Sequence, residues 1–507
     1  MGLTLVDFFC GAGGSSQGAA AVPGVSVRLA ANHWKRAIAS HEANFPDTEH
    51  FRGDLHEEDV SRFPAADLFW ASPECTYWSA ARGRRRDFDK QPDLFGETLP
   101  DEAADRSRAL MWDVPRYLEA MQLRGRPVLA GVVENVTDER KWVRWHEWVT
   151  AIRNLGYRTR LIALNSMHAQ PLCTLAAPQS RDRLYLAYWA TQLSRDPDWD
   201  RWLRPAAWCP VCEIEVRAVQ VWKKRGADMG CYRRQYLYLC PHARCRNAVV
   251  EPAVLPAAAA IDWSDLGTPV GARTRPMKPA TRARIAAGLL RYARPVLVPA
   301  GGTRRTGASA VDEPLPTRTA TENDGIAVPP FLVPLRSGRP RTIACGQPMA
   351  TVVADGSGHG LAVPPFITVH RGGTGETRTL RVSQPLTAVT ASGNHLGLAV
   401  PDGTHLLVPY YSNGAAQPVS EPTGALSTRD RYGLATGTAA DIDVDEVLFR
   451  MLHPREIGRA MAFADGYTVL GNQRERVRQY GNAVTPPVAE VLISALAEAV
   501  TGEEVPG

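Results

Sequence analysis

The feature that most constrains the fold is an alternation of strand-like and helix-like segments over residues 1–190. Apolar runs typical of buried strands lie at residues 3–9, 25–31, 68–71, 128–133 and 184–189. Helix-like patterns lie between them, at residues 34–43, 106–121 and 142–155. Such alternation indicates a mainly parallel, doubly wound sheet covered by helices. The predicted fold class is therefore α/β.

The chain is too long for one domain of ordinary size. Its 507 residues favour two or three domains. The α/β pattern breaks near Pro197, and helix-like patterning returns after residue 445. The simplest organisation is an α/β domain with a large insertion. The predicted segments are 1–195 for its first part, 205–250 for a cysteine-rich insert, 255–440 for a β-rich region, and 445–507 for the segment that completes the domain.

The β-rich region contains an internal repeat of four units. The first unit holds Glu313-Pro-Leu-Pro-Thr, and the following units hold similar segments around Pro348, Pro385 and Pro422. The prolines from 314 onward are spaced by 34, 37 and 37 residues. A repeat of this length is one supersecondary unit used several times. The units are either a structural β array without a ligand or a recognition surface built from repeated loops, and the sequence leaves both open.

Composition limits the class of protein. Hydrophobic residues make up 44% of the chain and charged residues 22%, so a packed core is expected. No apolar run approaches the roughly 20 residues of a membrane helix, and the N-terminus lacks the pattern of a signal peptide. We therefore expect a cytoplasmic protein without membrane contact. The net charge of +5 is a weak indication of a polyanionic partner.

Paired cysteines in residues 205–250 predict a structural zinc site. The pairs are Cys209-Pro-Val-Cys212 and Cys240-Pro-His-Ala-Arg-Cys245, and between them residues 216–222 and 232–239 resemble two strands of a hairpin. Two cysteine pairs on hairpin turns supply four thiolates for tetrahedral zinc. His242 or Cys231 could replace one ligand, and four unligated thiols are the alternative.

The same insert carries basic residues. They are Lys223, Lys224, Arg225, Arg233 and Arg234. Lysine and arginine clusters bind nucleic-acid phosphates, so these residues are candidates for contact with a nucleic acid.

A glycine-rich turn follows the first predicted strand. The segment runs from Asp7 through Gly18 and opens a helix. Glycines let the backbone approach a ligand, and the helix N-terminus offers unpaired N–H groups. Asp54 lies where a third strand would end, a position that suits an acid facing an adenine amino group. Taken alone, each feature is also compatible with an ordinary turn or a solvated carboxylate.

Three further motifs lie at strand ends, where α/β folds bind their ligands. Ser72-Pro-Glu-Cys75-Thr-Tyr-Trp-Ser places a cysteine on a proline-stiffened loop after the strand predicted at residues 68–71. Val132-Val-Glu134-Asn-Val places a carboxyl group at the end of the strand predicted at residues 128–133, the fourth of the five apolar runs. Gln179-Ser-Arg181-Asp-Arg183 places alternating arginines on extended chain before the fifth, where they can bind a phosphate or a carboxylate.

The ordered set of motifs resembles the DNA cytosine-5 methyltransferase family. The motifs are Asp7-Phe-Phe-Cys-Gly-Ala-Gly-Gly, the Cys75 segment, Glu134-Asn-Val, Gln179-Ser-Arg-Asp-Arg, and the closing Arg478-Gln-Tyr-Gly-Asn482-Ala-Val-Thr-Pro-Pro. The stretch 452–463 is similar to that family's helix before its last motif. Order and spacing match over residues 3–190 and 445–495. The resemblance implies a Rossmann-like, S-adenosylmethionine-dependent methyltransferase fold. Together with the cysteine pairs and the repeats, it leads us to expect a zinc-ribbon and β-rich target-recognition insertion.

The resemblance also implies roles for individual residues. Cys75 aligns with the nucleophile that attacks C6 of the target cytosine, and Glu134 with the residue that contacts N3 and the 4-amino group. Arg181 and Arg183 align with the pair that orders the active site and the bound base. The donor-binding positions are Phe9, Gly11, Gly13 and Asp54, together with Asn482 in the segment that closes the donor pocket.

Two departures from the family pattern stand out. Most members have Pro-Pro-Cys-Gln where this chain has Pro73-Glu-Cys-Thr, so Glu74 adds a carboxylate beside the nucleophile. Most members also carry a glutamate after the second strand that binds the donor's ribose, whereas this chain has Asn32. An asparagine can still bind a hydroxyl group. Trp34 is a candidate for stacking on the donor's adenine.

The resemblance implies an enzyme that methylates C5 of cytosine at a short site in double-stranded DNA, acting as a monomer on a flipped-out base. Such an enzyme fits a bacterial or phage restriction-modification setting. The first rival is an RNA (tRNA) cytosine-5 methyltransferase, against which the large insertion argues. The second is an inactive DNA-binding homologue, against which the presence of Cys75, Glu134 and both arginines argues.

Overall fold

The computed structural model describes residues 2–73, 102–255 and 447–506 without a break, with separate short stretches, mostly strands, between 257 and 445. The described residues divide into two compact units. One comprises Met1–Ala260, Pro348–Ser357 and His453–Gly507, and the other comprises Ile261–Gln347 and Gly358–Leu452. The functional domain boundaries given above remain predictions.

A seven-stranded sheet forms the centre of the first unit. Its strands are β1 Leu3–Phe8, β2 Val25–Asn32, β3 Glu49–Arg52, β4 Leu68–Ala71, β5 Ala130–Asn135, β6 Tyr157–Asn165 and β8 Asp182–Ala190. The strand order is β3-β2-β1-β4-β5-β8-β6. Strands β3, β2, β1, β4 and β5 run parallel, whereas β8 is antiparallel to both of its neighbours, β5 and β6. The order reverses direction at β1, where ligands bind in open α/β sheets.

Helices cover both faces of this sheet. They are α1 Gly14–Ala21, α2 Lys35–Asn44, α3 Glu102–Leu123, α4 Trp145–Asn154, α5 Trp199–Leu203, α6 Pro454–Ala460, α7 Gln473–Asn482 and α8 Pro486–Thr501. One core layer contains side chains of α3 and α4, and the other contains side chains of α1, α5 and α8. The first strand shows the reason, because Val6 and Phe8 face the first layer and Leu3 and Leu5 the second.

The last helix, α8, is apolar, whereas α7 before it is rich in charged and polar residues. Among the described residues, Gln473–Thr501 has the length and composition of a membrane span, and 94% of its most apolar window is buried inside the protein. This finding qualifies the expectation that no segment approaches such a length. The burial matches a core helix, since α8 packs against the same layer as Leu3 and Leu5.

The predicted α/β fold class is confirmed: the sheet is mainly parallel and doubly wound, as in Rossmann-like folds. The five strands and three helices predicted for residues 1–190 are present, with shifted ends. The sequence prediction missed β6 as a strand. Its first half, Tyr157-Arg-Thr-Arg, is mostly polar, because β6 lies at the edge of the sheet and these polar side chains are exposed or half-buried.

The cysteine-rich insert consists of two small sheets. Its strands are β9 Ala206–Cys209, β10 Ile214–Arg217, β11 Val219–Trp222, β12 Tyr236–Leu239 and β13 Val249–Val250. Strand β9 pairs with β10, and β12 pairs with both β11 and β13, all antiparallel. The predicted hairpin is present, but residues 216–222 are two strands rather than one. The break is at Ala218, which is fully buried and whose N–H binds the carbonyl of Pro205 at 2.8 Å.

Four antiparallel β repeats of three strands each follow one another in the second compact unit. Their central strands are β15 Val296–Pro299, β18 Phe331–Pro334, β22 Ile367–His370 and β25 Leu406–Pro409. Each lies between two partners, namely β16 Ser309–Ala310 and β17 Asp324–Ala327, β19 Ile343–Ala344 and β21 His359–Val363, β23 Arg378–Thr379 and β24 His395–Leu398, and β26 Gln417–Pro418 and β27 Tyr432–Ala435. The internal repeat is therefore a repeated β unit, although its four marker prolines lie outside the described residues.

The second of the four β repeats is extended into a five-stranded sheet. The added strands are β28 Leu448–Met451, which pairs with β21, and β14 Thr268–Pro269, which pairs with β28. In the first unit, a short parallel pair joins β7 Gln179–Ser180 to β20 Met349–Ala350. This pair lies directly before Arg181.

Candidate active site and cysteine cluster

The turn after β1 has the backbone conformation that its glycines predict. Phe9, Gly11 and Gly13 all have positive φ, at 59°, 55° and 94°. A Cβ on Gly13 would overlap the hydroxyl of Tyr467, whereas a Cβ on Gly11 would meet nothing within 4 Å. The turn is thus packed from behind and open on the side of Gly11. An open, glycine-lined cradle of this kind fits a bound methyl donor.

Asp7 fixes this turn to the helix that follows it. Its Oδ2 accepts hydrogen bonds from the hydroxyls of Ser15 and Ser16, both at 2.6 Å. Asp7 is fully buried, and burial raises the pKa of its carboxyl group to about 7. No role was predicted for Asp7, although an acid closing an apolar strand run was a visible signal.

The ends of β2 and β3 place three more predicted donor-binding residues at the same sheet edge as the turn. Asn32 is buried, and its Oδ1 accepts the N–H of Trp34 at 2.9 Å. The guanidinium carbon of Arg478 lies 4.7 Å from the centre of the Trp34 ring. Only one face of this indole is therefore left for an adenine. Asp54, beyond β3, is half-buried, and its Oδ1 accepts the N–H of His56 at 3.0 Å.

Glu134 and Arg183 form an ion pair at the carboxyl end of β5. The Arg183 Nε lies 3.1 Å from the Glu134 Oε1, and the side chains are 14% and 10% exposed. The neighbouring residue, Asn135, donates from Nδ2 to the carbonyl of Pro73 at 3.4 Å. Cys75 and Glu74 lie outside the described residues, but Pro73 is two positions before the cysteine. The contact of Asn135 was not predicted from the sequence.

Arg181 and Arg183 bind different parts of the chain. Arg181 is 2% exposed, and its Nη2 donates to the carbonyls of Ala483 at 2.9 Å and Gly481 at 3.3 Å. Those carbonyls flank Asn482, an exposed residue at the end of α7. One arginine of the motif therefore holds the catalytic carboxylate candidate, and the other holds the closing segment of the chain.

The closing segment packs directly on α1. A Cβ on Gly14 would overlap the carbonyl oxygen of Val484, and one on Gly18 would overlap that of Pro486. The hydroxyls of Ser166 and Thr485 lie 2.8 Å apart. Glycines on α1 are thus required for the close approach of the segment that carries Asn482.

Four cysteines of the insert form a cluster that could hold a metal ion. The Sγ atoms of Cys209, Cys212, Cys240 and Cys245 all lie within 4.8 Å of one another. The Cys212 and Cys240 sulfurs are 3.9 Å apart. Tetrahedral zinc with Zn–S bonds of about 2.3 Å requires sulfurs about 3.8 Å apart, so the cluster fits that ion.

The alternative ligands are placed differently. The Nδ1 of His242 lies 3.5 Å from the Cys240 sulfur, but the group of potential ligands is made by the four cysteines. Cys231 lies outside that group, and burial raises the pKa of its thiol. The geometry therefore favours four cysteine ligands. Arg244 donates from Nε to the Cys212 sulfur at 3.2 Å, as is common for a thiolate of a metal site.

Comparison with known proteins gives one family and several distant structures. The C-5 cytosine-specific DNA methylase profile matches residues 3–195 and 404–498. No curated protein matches the sequence significantly. The similar solved structures include a putative DNA modification methyltransferase encoded within an E. coli prophage, at 13% identity, with 99% of this chain and 100% of that chain covered and a TM-score of 0.44.

Two DNMT2 structures are similarly distant. A mutant of Spodoptera frugiperda DNMT2 has 11% identity, 98% coverage of this chain and 100% of that chain, and a TM-score of 0.45. The S. pombe Dnmt2 methyltransferase has 11% identity, 99% and 100% coverage, and a TM-score of 0.47. The family match covers more than half of the chain, including all of the motifs around Glu134, Arg181, Arg183 and Asn482. The chain therefore belongs to the C-5 cytosine-specific DNA methylase family.

Proposed function

We propose that this protein transfers a methyl group from S-adenosylmethionine to C5 of cytosine in a specific double-stranded DNA site. The observation that carries the proposal is the ion pair of Glu134 with Arg183. It lies at the end of β5, and the next residue on that strand, Asn135, binds the carbonyl of Pro73, two positions before Cys75 in the sequence. A carboxylate at the end of one strand, with a cysteine close in sequence to the end of the neighbouring strand, suits this reaction.

The chemistry explains these residue types. Carbon-5 of cytosine is a poor nucleophile. The Cys75 thiolate forms a bond to C6, and the electron pair of the C5–C6 double bond moves toward C5. The Glu134 carboxyl group would contact N3 and the 4-amino group, where charge develops. After methylation, loss of the C5 proton restores the double bond and releases the thiolate.

The described residues fit a bound donor. When bound, S-adenosylmethionine supplies a methyl group activated by a positively charged sulfur. Phe9, Gly11 and Gly13 would form the floor of its site. The remaining predicted contacts are Asn32, the free face of Trp34, Asp54 and Asn482. Arg181 would act here by holding the carbonyls on either side of Asn482.

The insert would carry a structural zinc ion on Cys209, Cys212, Cys240 and Cys245. Zinc with four thiolates is a closed site without an open position for substrate, so it supports folding rather than chemistry. The repeated β units would form the target-recognition region, since catalytic domains of this size leave sequence recognition to added segments. We further propose that the protein acts as a cytoplasmic monomer, in a restriction-modification setting, on a base flipped out of the duplex.

A methyl-transfer assay tests this proposal. Radiolabelled S-adenosylmethionine is supplied with duplex DNA of mixed sequence or with tRNA, and the product is digested to nucleosides. We expect label in 5-methylcytosine from DNA alone, none with Cys75→Ala, and wild-type transfer with the matched variant Cys173→Ala, whose cysteine is exposed. Label in tRNA alone would favour an RNA enzyme, and no label in either would favour an inactive binding protein.

A further inference from the structure

Asp182 lies between the two arginines of the active-site motif and faces away from them. It begins β8, and side chains alternate between the two faces of a strand. Arg183 binds Glu134 on one face. On the other, the Asp182 Oδ1 accepts the N–H of Tyr232 at 3.0 Å and the hydroxyl of Tyr236 at 3.3 Å. Both tyrosines belong to the cysteine-rich insert, so one residue joins the insert to the catalytic strand.

These bonds matter because Asp182 is half-buried, so its carboxyl group is partly shielded from water. Burial raises the pKa of Asp182, and the hydrogen bonds from Tyr232, Asn165 and Tyr236 act in the opposite direction. A buried carboxylate that loses its donors is costly to keep in place. The start of β8 is therefore expected to move, or to exchange more freely with solvent, when the insert withdraws.

The insert makes a second contact with the segment that follows β5. Arg140 lies five residues after the end of β5, and its Nε and Nη2 bind the Oδ2 of Asp228 at 3.1 and 2.9 Å. The segment after β5 and the start of β8 are thus both bonded to the same insert. The relative position of β5 and β8 fixes the ion pair between them.

The metal cluster and the two tyrosines share one small core. The buried residues of this core include Cys209, Cys240 and Cys245 together with Tyr232 and Tyr236. So few residues bury too little apolar surface to be stable alone, and small modules of this size usually depend on a metal or disulfide. We therefore expect the position of Tyr236 to depend on the metal ion that the four cysteines would hold.

We infer that the metal-loaded insert supports the active site from the face of β8 opposite Arg183, through the contact of Tyr232 and Tyr236 with Asp182. In this account Asp182 and Tyr236 are positioning residues, which hold Arg183 against Glu134 without touching substrate. The inference rests on the proposed function for its catalytic consequence, but the physical link between insert and strand can be measured without any substrate.

A matched pair of variants tests the link. Tyr236→Phe removes the hydroxyl that binds Asp182, while Tyr238→Phe removes a hydroxyl from the same strand with no bond to Asp182. For each variant, the zinc content and the hydrogen–deuterium exchange of residues 179–184 are measured. We expect both variants to keep the metal, and Tyr236→Phe alone to exchange faster at these residues. Treating the wild type with a zinc chelator should give the same increase.

The catalytic consequence is measured separately. In single turnover with duplex DNA, Tyr236→Phe should lower the methyl-transfer rate on the order of tenfold with unchanged donor affinity, because misplaced catalytic groups slow chemistry rather than binding. Tyr238→Phe should match the wild type.

The outcomes separate the two proposals. Unchanged exchange at residues 179–184 after both Tyr236→Phe and chelation overturns the inference, whatever the enzyme does. Faster exchange with an unchanged transfer rate also overturns it. A wild-type protein that transfers no methyl group contradicts the proposed function, while the exchange data still decide whether the insert holds β8.

Discussion

The Nε of Arg183 lies 3.1 Å from the Oε1 of Glu134, and the sheet register explains why. Strands β5 and β8 are antiparallel, with Glu134 opposite Tyr185. Arg183 is two positions from Tyr185, so it is a diagonal neighbour of Glu134 on the same face, within reach of a long side chain. Strand pairing thus brings the two side chains within reach of each other, and the contacts of Asp182 would then hold Arg183 in place.

Breaking this ion pair should slow chemistry and leave the fold intact. Arg183→Lys retains the charge but loses the planar guanidinium. We expect single-turnover methyl transfer to fall about 100-fold or more, in the range found for lost acid–base or orienting groups, with little change in donor affinity. Arg144→Lys is the matched control, because Arg144 pairs with Glu147 on the surface. Equal rates for Arg183→Lys and the control would contradict the assignment.

Replacing Arg181 should affect stability more than Arg183→Lys does. Its guanidinium is buried and binds the carbonyls of Gly481 and Ala483. Arg181→Met leaves those carbonyls without this donor, at a cost of about 2–4 kcal/mol of unfolding free energy. Denaturant unfolding followed by circular dichroism measures it. A variant as stable as the wild type would show that Arg181 does not hold the closing segment.

Gly18→Ala should destabilise the protein, although alanine normally favours a helix. Gly18 lies within α1, where alanine would usually add about 0.5–1 kcal/mol. Here its Cβ would overlap the carbonyl of Pro486, so we expect a net loss of about 1–3 kcal/mol. Gly466→Ala, where a Cβ meets nothing within 4 Å, is the control. A stabilised Gly18→Ala protein would rule out this close packing.

The pH dependence of stability should report on His168. It is 3% exposed, its ring nitrogens have no hydrogen-bond partner among the described residues, and burial lowers its pKa to about 3. In the unfolded chain the pKa of this histidine is about 6.5, so the unfolded state binds a proton there more readily than the folded state. Stability from this group is therefore complete above about pH 6.5 and is lost as the pH falls toward 3.

His168→Phe should remove that contribution. Phenylalanine keeps an aromatic ring against Tyr232, whose ring centre lies 4.4 Å from that of the histidine. Unfolding free energies of wild type and variant, measured from pH 8 to pH 4, should diverge in favour of the variant as the pH falls. Parallel curves would mean that His168 is not held neutral in the folded protein.

Metal analysis should find one zinc ion per chain. Cys212→Ala should lose it, since its sulfur belongs to the cluster, whereas Cys231→Ala should retain it. Elemental analysis of the purified variants measures this directly. Loss of metal from Cys231→Ala, with retention in Cys212→Ala, would assign the fourth ligand to Cys231 instead.

The sequence predicts the elements of the fold better than their contacts. Buried parallel strands read as apolar runs, so β1, β2, β4 and β5 could be placed from the sequence. The division of labour between Arg181 and Arg183 could not, because it depends on carbonyls some 300 positions away in the chain. Asp182 was in view within the same motif, but its partners lie in an insert whose docking leaves no local pattern.

The donor site shows the same limit. Positive φ at Gly11 and Gly13 follows from the glycine-rich turn itself. The guanidinium over Trp34 does not, because Arg478 comes from α7, far along the chain. Contacts between distant segments are set by tertiary packing, which local patterns do not encode.

The most direct test of the account is covalent trapping at Cys75. Duplex DNA containing 5-fluorocytosine is incubated with the protein and S-adenosylmethionine, and the products are separated under denaturing conditions. Fluorine cannot leave as the C5 proton does, so the adduct cannot break down. We predict a stable protein–DNA complex whose cross-linked peptide contains residue 75, and none with Cys75→Ala. A wild-type protein that methylates cytosine-containing DNA but never forms this complex would contradict the account.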